Sequence, residues 1–268
     1  MLTLFLAAGL GAALGALLNG AGIASSGWSV FWGILLMVAI QLAVGLFIRK
    51  QVNNTNMVMQ ADMAATQTKI MRKVEAFQRR PGGNVKLMQQ ELQEEQFSSV
   101  RRALNKLDEL NRYTWWNLLL SKQLNTMRMV MYYQLKEFAK VDELLPKSIM
   151  LSAQAIAMKM ARMYKHNDKN IDKFFAKKAK RMKGDDAVLL YSLYAWIKLK
   201  QDDAKSALEA LNKATAKCDN PALIANRDRI ANGKVKQFTN QALGDAWYSL
   251  YLEEPKVKQQ RAPERRFV

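Results

Sequence analysis

The pattern of apolar and polar positions divides the chain sharply after residue 48. The first 48 residues contain no charged side chain and form two apolar runs, at 2–18 and 28–48, separated by a short loop. At ~1.5 Å of rise per residue the runs correspond to roughly 25 and 31 Å of helix, against about 30 Å for a bilayer core. The pattern predicts a transmembrane hairpin over residues 1–48.

A cleaved signal peptide is the alternative for the first run, but such a peptide begins with a basic region and no Lys or Arg precedes Leu2. Basic residues near the ends of the spans indicate the orientation. Arg49 and Lys50 follow the second run, whereas the loop at 19–27 has no basic residue. We therefore expect both ends in the cytoplasm and a membrane location, specifically a bacterial inner membrane, with Trp28 and Trp32 at the outer interface.

The first run carries small residues four positions apart, at Ala7, Gly11 and Gly15, which predicts close packing against another helix. The partner is either the second run or other copies of the hairpin in a homo-oligomer. A Gly/Ala-rich first helix resembles the ring subunit of rotary ATPases, which carries its ion on a carboxylate in the second helix. Here Gln41 is the only strongly polar side chain of that run, which argues against ion transport. We expect Gln41 to hydrogen-bond between helices.

Residues 49–112 have the apolar spacing of two helices separated by Arg79-Arg80-Pro81-Gly82-Gly83. The first helix is expected to continue out of the second apolar run, and Asn84 is a suitable N-cap for the second. The two helices form either an antiparallel hairpin or an extended stalk.

Residues 113–254 read as successive helices separated by caps and breakers, so the fold class is all-α. Among the expected signals, Ser148 or Ser152 begins one helix, Gly184 follows a helix ending near Lys183, and Asp186 caps the next. The expected helices cover 114–134, 139–145, a segment from 148 or 152 to 165, one ending near 183, 185–200, 203–217, a helix from Pro221 with Asn220 as its N-cap and Gly233 at its end, and 235–252.

One helix pair resembles a tetratricopeptide repeat, a family of protein-binding α-solenoids. The matching residues are Tyr191 to Ala195, Lys200 to Asp203, Ala207, Leu208, Leu211, Ala214 and Pro221. Tyr132 to Phe138, with Leu144 and Pro146, resembles the junction of a second, degenerate copy. Trp196 and Lys198 depart from the pattern, which places a small residue there. The resemblance implies stacked helix pairs and a scaffold that binds proteins; an irregular helical bundle is the alternative.

The whole chain has a net charge of +18. Much of this positive charge is concentrated in one region. Basic residues recur at three- or four-residue spacing opposite Ile171, Phe174 and Phe175, which predicts an amphipathic helix with a cationic stripe. The stripe is either a solvated face or a binding site for an anion: membrane lipids first, acidic protein partners second and nucleic acid third. Its residues are Lys165, Lys169, Lys173, Lys177, Lys180 and Arg181.

No residue pattern predicts a catalytic, metal or cofactor site. His166 is the only histidine and lies in a predicted turn, and Cys218 has no second ligand nearby in sequence. The Asp pairs at 185/186 and 202/203 are typical of N-caps. The tail at 255–268 is basic and is expected to be disordered when unbound.

These observations predict a membrane-anchored scaffold: a hairpin at 1–48, a helical stalk or hairpin at 49–112, a helical domain resembling tetratricopeptide repeats at 113–254, and a tail. One alternative is an oligomeric membrane assembly or pore built by the hairpin. The other is a membrane-tethered nucleic-acid binder.

Overall fold

The computed structural model describes residues 2–23, 25–79 and 84–255. Within these ranges every regular element is a helix and no strand occurs, which confirms the all-α prediction. The chain divides into two compact units, unit 1 at Met1–Ile149 and unit 2 at Met150–Val268. The division falls between Ile149 and Met150, so the domain expected at 113–254 contributes residues to both units.

The described residues of unit 1 form five α-helices and two 3₁₀ turns, at Glu109–Tyr113 and Leu145–Lys147. The helices are α1 (Leu2–Gly20), α2 (Ser26–Gln78), α3 (Val85–Asp108), α4 (Leu118–Gln134) and α5 (Phe138–Leu144). As expected, α2 continues without interruption from the second apolar run; its 53 residues extend about 80 Å.

The helices α1 and α2 form an apolar hairpin whose side chains mostly face outward. Both helices are long and apolar enough to cross a membrane, and only 17% and 11% of their most apolar windows are buried. The core helix of a water-soluble protein would be mostly covered by other side chains. The low burial therefore indicates that this apolar surface needs a covering other than the chain itself.

Small residues bring α1 and α2 into backbone contact. A Cβ atom added to Gly11 would lie 2.5 Å from the carbonyl oxygen of Gly33, and one on Gly15 would lie 3.1 Å from that of Ser29. Ala7, on the same face of α1, is fully buried. The face at Ala7, Gly11 and Gly15 thus packs on the second helix of the same hairpin.

The structure does not give Gln41 the expected donor bond. Its Nε2 atom is buried and has no hydrogen-bond partner among the described residues. The register of the Gly11 and Gly33 contact places Thr3 level with Gln41, and the Thr3 hydroxyl donates to the carbonyl of Trp116 at 2.9 Å.

Beyond residue 48, α2, α3 and α4 form an antiparallel three-helix bundle. Asp62 pairs with Arg102 at 3.1 Å and Lys73 with Glu95 at 2.6 Å, so α3 runs back along α2 as a hairpin. Asn84 caps α3 as predicted, accepting from the backbone N–H groups of two residues; the break at 80–83 lies outside the described residues. The bundle core contains Ile48, Met59, Val100, Ala103, Leu107, Leu110, Leu120, Leu124, Met131 and Leu135.

Unit 2 is built around one central helix. Its helices are α6 (Ala153–Lys165), α7 (Ile171–Ala179), α8 (Gly184–Lys200), α9 (Ala204–Thr215), α10 (Pro221–Ala231) and α11 (Asp245–Tyr248). Every residue of α8 from Ala187 to Lys198 is buried. The helices α6, α7 and α9 each pack on α8, and α10 packs on α9. A helix that is apolar all round must be covered on all sides, which is what the surrounding helices do.

Two predicted helix starts are confirmed, whereas the predicted start of α4 and the predicted end of α7 are wrong. Ser152 caps α6 and Asn220 caps α10, each through its side-chain oxygen. The structure begins α4 after Asn117 rather than Thr114, because the Asn117 side chain accepts from the Leu119 N–H. It also ends α7 at Ala179, short of the expected Lys183.

Gly184 has the expected left-handed conformation, with a φ of 56°, but it has another role. It follows the extended residue Lys183 and opens α8, so it does not terminate α7, and Lys183 rather than Asp186 is the N-cap residue. The carbonyl of Gly184 accepts from Cys218 Sγ at 3.4 Å. This contact fixes the start of α8 against the end of α9.

The predicted last helix at 235–252 is wrong. The structure has 3₁₀ turns at Val235–Gln237 and Gln241–Leu243, followed by the four-residue α11. The buried Asn226 side chain donates to the Thr239 carbonyl at 2.8 Å and accepts from its N–H at 3.2 Å. These bonds take backbone groups that a helix would use, and Gly244 then turns the chain with a φ of 53°.

Among the described helices, α1, α4, α6, α8 and α10 end in the same way, and in the last four the ends recur at intervals of about 31 to 35 residues. In each case the second residue after the helix has a positive φ. The N–H of the residue that follows it bonds back to a carbonyl of the last helical turn. This is the geometry of a Schellman-type C-cap. The positive-φ residues are Gly22 after α1, Lys136 after α4, Asn167 after α6, Asp202 after α8 and Gly233 after α10.

Candidate partner-binding surface

The predicted cationic stripe lies on the surface of unit 2. Lys173 and Lys177 belong to α7, Lys165 is the last residue of α6, and Lys169 lies in the connecting turn. All are exposed. We call the exposed group the cationic surface, and its members are Lys165, Lys169, Lys173, Lys177, Lys180 and Arg181.

The opposite side of α7 holds the helix against α8. Ile171, Phe175 and Ala179 are buried there. The Phe175 ring stacks on the Tyr194 ring, with centroids 3.8 Å apart, and meets the Tyr191 ring edge-on at 5.2 Å. The basic side chains at 173 and 177 are thereby presented outward by a well-packed helix.

Asp172 is an acidic residue within the stripe, and its carboxylate pairs with a buried cation. Its carboxylate oxygens accept from the buried Lys198 ammonium at 2.8 and 2.9 Å, and one of them also accepts from the Tyr194 hydroxyl at 3.0 Å. Burial and the Asp172 carboxylate raise the pKa of Tyr194. This network accounts for Lys198, which departs from the repeat pattern, and it pairs the Asp172 carboxylate with a cation outside the cationic surface.

Asp168 is likewise engaged locally. Its Oδ1 atom accepts from the backbone N–H of Asn170 at 2.8 Å and from its side-chain amide at 3.0 Å. Within the described ranges, no carboxylate lies within 4.0 Å of any of the six cations of the cationic surface. The surface therefore has a positive charge that its immediate surroundings leave uncompensated.

Lys178, at the edge of this surface, is affected by the crowding of positive charge. Its ammonium donates to the Met150 carbonyl at 2.8 Å and lies 5.9 Å from the centre of the Phe174 ring. Partial burial lowers the pKa of Lys178, and the charges of Arg181, Lys177 and Lys159 lower it further. An anion bound beside these cations would reduce the repulsion among them.

The residues considered for chemistry lie apart from one another. His166 is exposed in the turn after α6, with its Nε2 atom 3.0 Å from Arg162 Nη2. Cys218 is buried. Asp203 caps α9 as predicted, through the Ser206 N–H. Over the parts of the chain that the structure describes, no three His, Cys, Asp or Glu side chains are grouped so as to hold a metal ion.

Comparisons with known proteins give no further guidance. No family model, curated protein or solved structure matches the chain.

Two features of the structure were not predicted from the sequence. Trp115 and Trp116 lie exposed beside the apolar part of α2. The signal in the sequence that could have indicated this surface is the pair of adjacent tryptophans. Glu253 accepts from the indole N–H of Trp196 at 2.7 Å and from that of Trp247 at 2.9 Å. The bond between Trp196 and Glu253 joins residues 57 positions apart in sequence, so no local pattern indicates it.

Proposed function

We propose that the protein is a membrane-anchored scaffold that recruits an acidic protein partner to the cationic surface of unit 2. The hairpin of α1 and the apolar part of α2 is the anchor, placed in a bacterial inner membrane, with the chain after residue 48 on the cytoplasmic side. The observation that carries the proposal is the inward pairing of Asp172 with Lys198, which leaves six exposed cations without a compensating carboxylate.

The low burial of the hairpin supports the anchor. Large apolar side chains cover its outside, and burying them in lipid would stabilise the protein by about 1.5–3 kcal/mol for each fully covered side chain. Such side chains are Phe5, Leu17, Val30, Ile34, Val38, Leu42 and Leu46.

Recurrent local geometry supports a scaffold of helix pairs. The Schellman-type ends of α6, α8 and α10 occur once per pair, as expected for repeated supersecondary units. The small residues that carry the resemblance to tetratricopeptide repeats, Ala207 and Ala214, are fully buried in α9. Repeats of this kind stack their helices and leave an elongated surface for partners.

The test is photo-crosslinking in cells through a probe that replaces Lys173 in the full chain. The account predicts a crosslink to a discrete protein, lost when Lys169 and Lys177 are also changed to Glu. Changing Lys205 and Lys213, two exposed lysines of α9, to Glu is the matched control and should leave the crosslink intact. Crosslinks only to phospholipid, or a nucleic-acid adduct that disappears steeply with salt, would contradict a protein partner.

A second candidate function, an oligomeric membrane assembly, is favoured by one observation. Beside the α1–α2 contact lies a groove of about 320 Å³, rimmed by the exposed residues Ala8, Ala12 and Ala16. If this groove receives another hairpin, the full chain in mild detergent forms discrete oligomers that Ala12→Leu disrupts. If Ala12→Leu leaves the oligomeric state unchanged, the small-residue groove has no such role.

A further inference from the structure

The segment that joins α3 to α4 lies against the end of the apolar part of α2. The Tyr113 ring meets the Phe47 ring edge-on, with centroids 6.0 Å apart. Trp116 lines a pocket of about 400 Å³ together with Val44 and Ile48. Ile48 is the last apolar residue before Arg49 and Lys50, so the segment lies where the second apolar run ends.

The same segment contacts the beginning of α1. The Thr3 hydroxyl, which is 4% exposed, donates to the Trp116 carbonyl at 2.9 Å. The first apolar run is shorter than the second by roughly 6 Å of helix. The segment therefore lies beside the start of the shorter helix as well as beside the end of the apolar run of α2.

Large apolar side chains of this segment face outward. Trp115 is 73% exposed and Trp116 is 41% exposed, and Leu119 follows them with 55%. By contrast, Trp196 and Trp247 in unit 2 are buried, with their indole N–H groups bonded to Glu253. Adjacent exposed indoles in a folded protein mark a contact surface.

The position of the indoles identifies what covers them. Trp28 and Trp32 are exposed at the beginning of the apolar run of α2, and Trp115 and Trp116 lie at its other end. Indoles favour both interfaces of a bilayer, because the ring is apolar and its N–H can bond to water or headgroups. Arg49 and Arg112 are exposed on this side, where they can contact lipid phosphates.

We propose that residues 113–117 form an interfacial membrane anchor, with Trp115 and Trp116 between the headgroups and the acyl chains of the cytoplasmic leaflet. The ligand is the phospholipid interface itself. This inference rests on the proposed placement of α1 and α2 in a membrane. Its consequence is that the α2–α3–α4 bundle is attached to the bilayer twice, through the continuous α2 and through the turn between α3 and α4.

The test uses quenching of tryptophan fluorescence in vesicles of phosphatidylcholine brominated near the headgroup end of the acyl chains. Three full-length variants are compared: Trp28→Phe with Trp32→Phe, Trp115→Phe with Trp116→Phe, and all four changes together. The chain has six tryptophans, so the first variant keeps four, of which two are the proposed anchor. We expect roughly half of its emission to be quenched, because interfacial indoles meet the bromines. The fourfold variant should show little quenching.

The outcomes separate the two proposals. Quenching of the variant that keeps Trp115 and Trp116, above the level of the fourfold variant, supports the interfacial anchor. The anchor is overturned if the variant that keeps Trp115 and Trp116 is quenched no more than the fourfold variant. If the variant that keeps Trp28 and Trp32 is quenched in the same experiment, the membrane hairpin still stands. If neither pair is quenched, both the hairpin placement and the anchor are wrong.

A second measurement keeps the indoles of the hairpin unchanged. A fluorophore sensitive to polarity is attached at Trp115→Cys in a chain with Cys218→Ser, and the matched control carries it at Lys213→Cys on α9. The account predicts a blue shift and bromolipid quenching at position 115 and neither effect at position 213. Identical emission from the two sites would overturn the proposal.

Discussion

Two helical stretches of this protein, α8 and the first part of α2, are largely apolar, and they are covered in different ways. In α8, the residues from Ala187 to Lys198 are buried by neighbouring helices, and its polar groups have partners such as Asp172 and Glu253. In the first part of α2, the most apolar window is only 11% buried. A largely apolar helical stretch thus occurs in two different environments. Protein covers α8, whereas we propose that lipid covers the first part of α2.

The largest effect is expected from a charge placed in α8. Leu193 is fully buried, so Leu193→Lys would bury an ammonium without a partner and destabilise unit 2 by more than about 4 kcal/mol. Loss of cooperative thermal unfolding of unit 2, followed by the buried Trp196 fluorescence, measures it. A variant that unfolds like the parent would show that α8 is not the centre of a packed core.

The same change in α2 tests the other half of the comparison. Val38, near the middle of the apolar run, is 48% exposed, and in water Val38→Lys would cost little. In a bilayer the substitution disfavours insertion by about 3 kcal/mol, so the membrane-bound fraction should fall. Met57→Lys, at an exposed position of α2 beyond the apolar run, is the control and should fractionate normally. Normal membrane association of Val38→Lys would argue against a spanning helix.

Close packing between α1 and α2 is tested by a larger side chain at the crossing. Gly33→Leu is expected to separate the helices and weaken the hairpin by about 1–3 kcal/mol, because a Cβ there would lie 2.5 Å from the Gly11 carbonyl oxygen. Gly45→Leu is a matched control, since no atom lies within 4 Å of its added Cβ. The readout is the yield of a disulfide between cysteines introduced in α1 and α2. Equal yields for the two variants would contradict the crossing.

The polar contacts of the core in unit 2 predict a moderate effect. Glu253→Gln keeps one acceptor oxygen but replaces the other by an amide, so one buried indole N–H loses its partner. We expect unit 2 to be destabilised by about 1–3 kcal/mol, measured by chemical denaturation. The exposed neighbour provides the control, as Glu254→Gln should leave the midpoint unchanged.

The smallest expected effect concerns the repeated helix ends. Gly233 has a φ of 72°, which a Cβ disfavours, so Gly233→Ala should destabilise unit 2 by about 1 kcal/mol. Asp202 has a φ of 59°, which favours glycine, so Asp202→Gly should raise the stability of unit 2 by a similar amount. Changes of equal sign in the two melting temperatures would contradict the shared geometry of these turns.

The parts of the fold that were predicted correctly depend on contacts close in sequence. Ser152, Asn84 and Asn220 were identified as caps because each bonds to N–H groups two or three residues away. The uninterrupted α2 follows from apolar spacing that continues past Arg49. Lys173 and Lys177 could be placed on one face because helical periodicity requires it.

The errors and omissions come from contacts distant in sequence. Residues 235–252 have helical composition, but the Asn226 side chain bonds to the backbone of Thr239 and prevents a continuous helix. The pairing of Asp172 with Lys198 spans 26 residues, and that of Trp196 with Glu253 spans 57. Trp115 and Trp116 acquire their significance only when the fold brings them beside α2.

The most direct test of the central claim is the topology of the full chain in intact cells. Single cysteines are introduced at Ile23, in the loop between α1 and α2, or at Lys213 in unit 2, each with Cys218→Ser, and are treated with a thiol reagent that does not cross membranes. The account predicts that Ile23→Cys is labelled in intact cells and that Lys213→Cys is labelled only after lysis. Labelling of Lys213→Cys in intact cells, or of neither site before lysis, would contradict a membrane-spanning anchor with the scaffold on the cytoplasmic side.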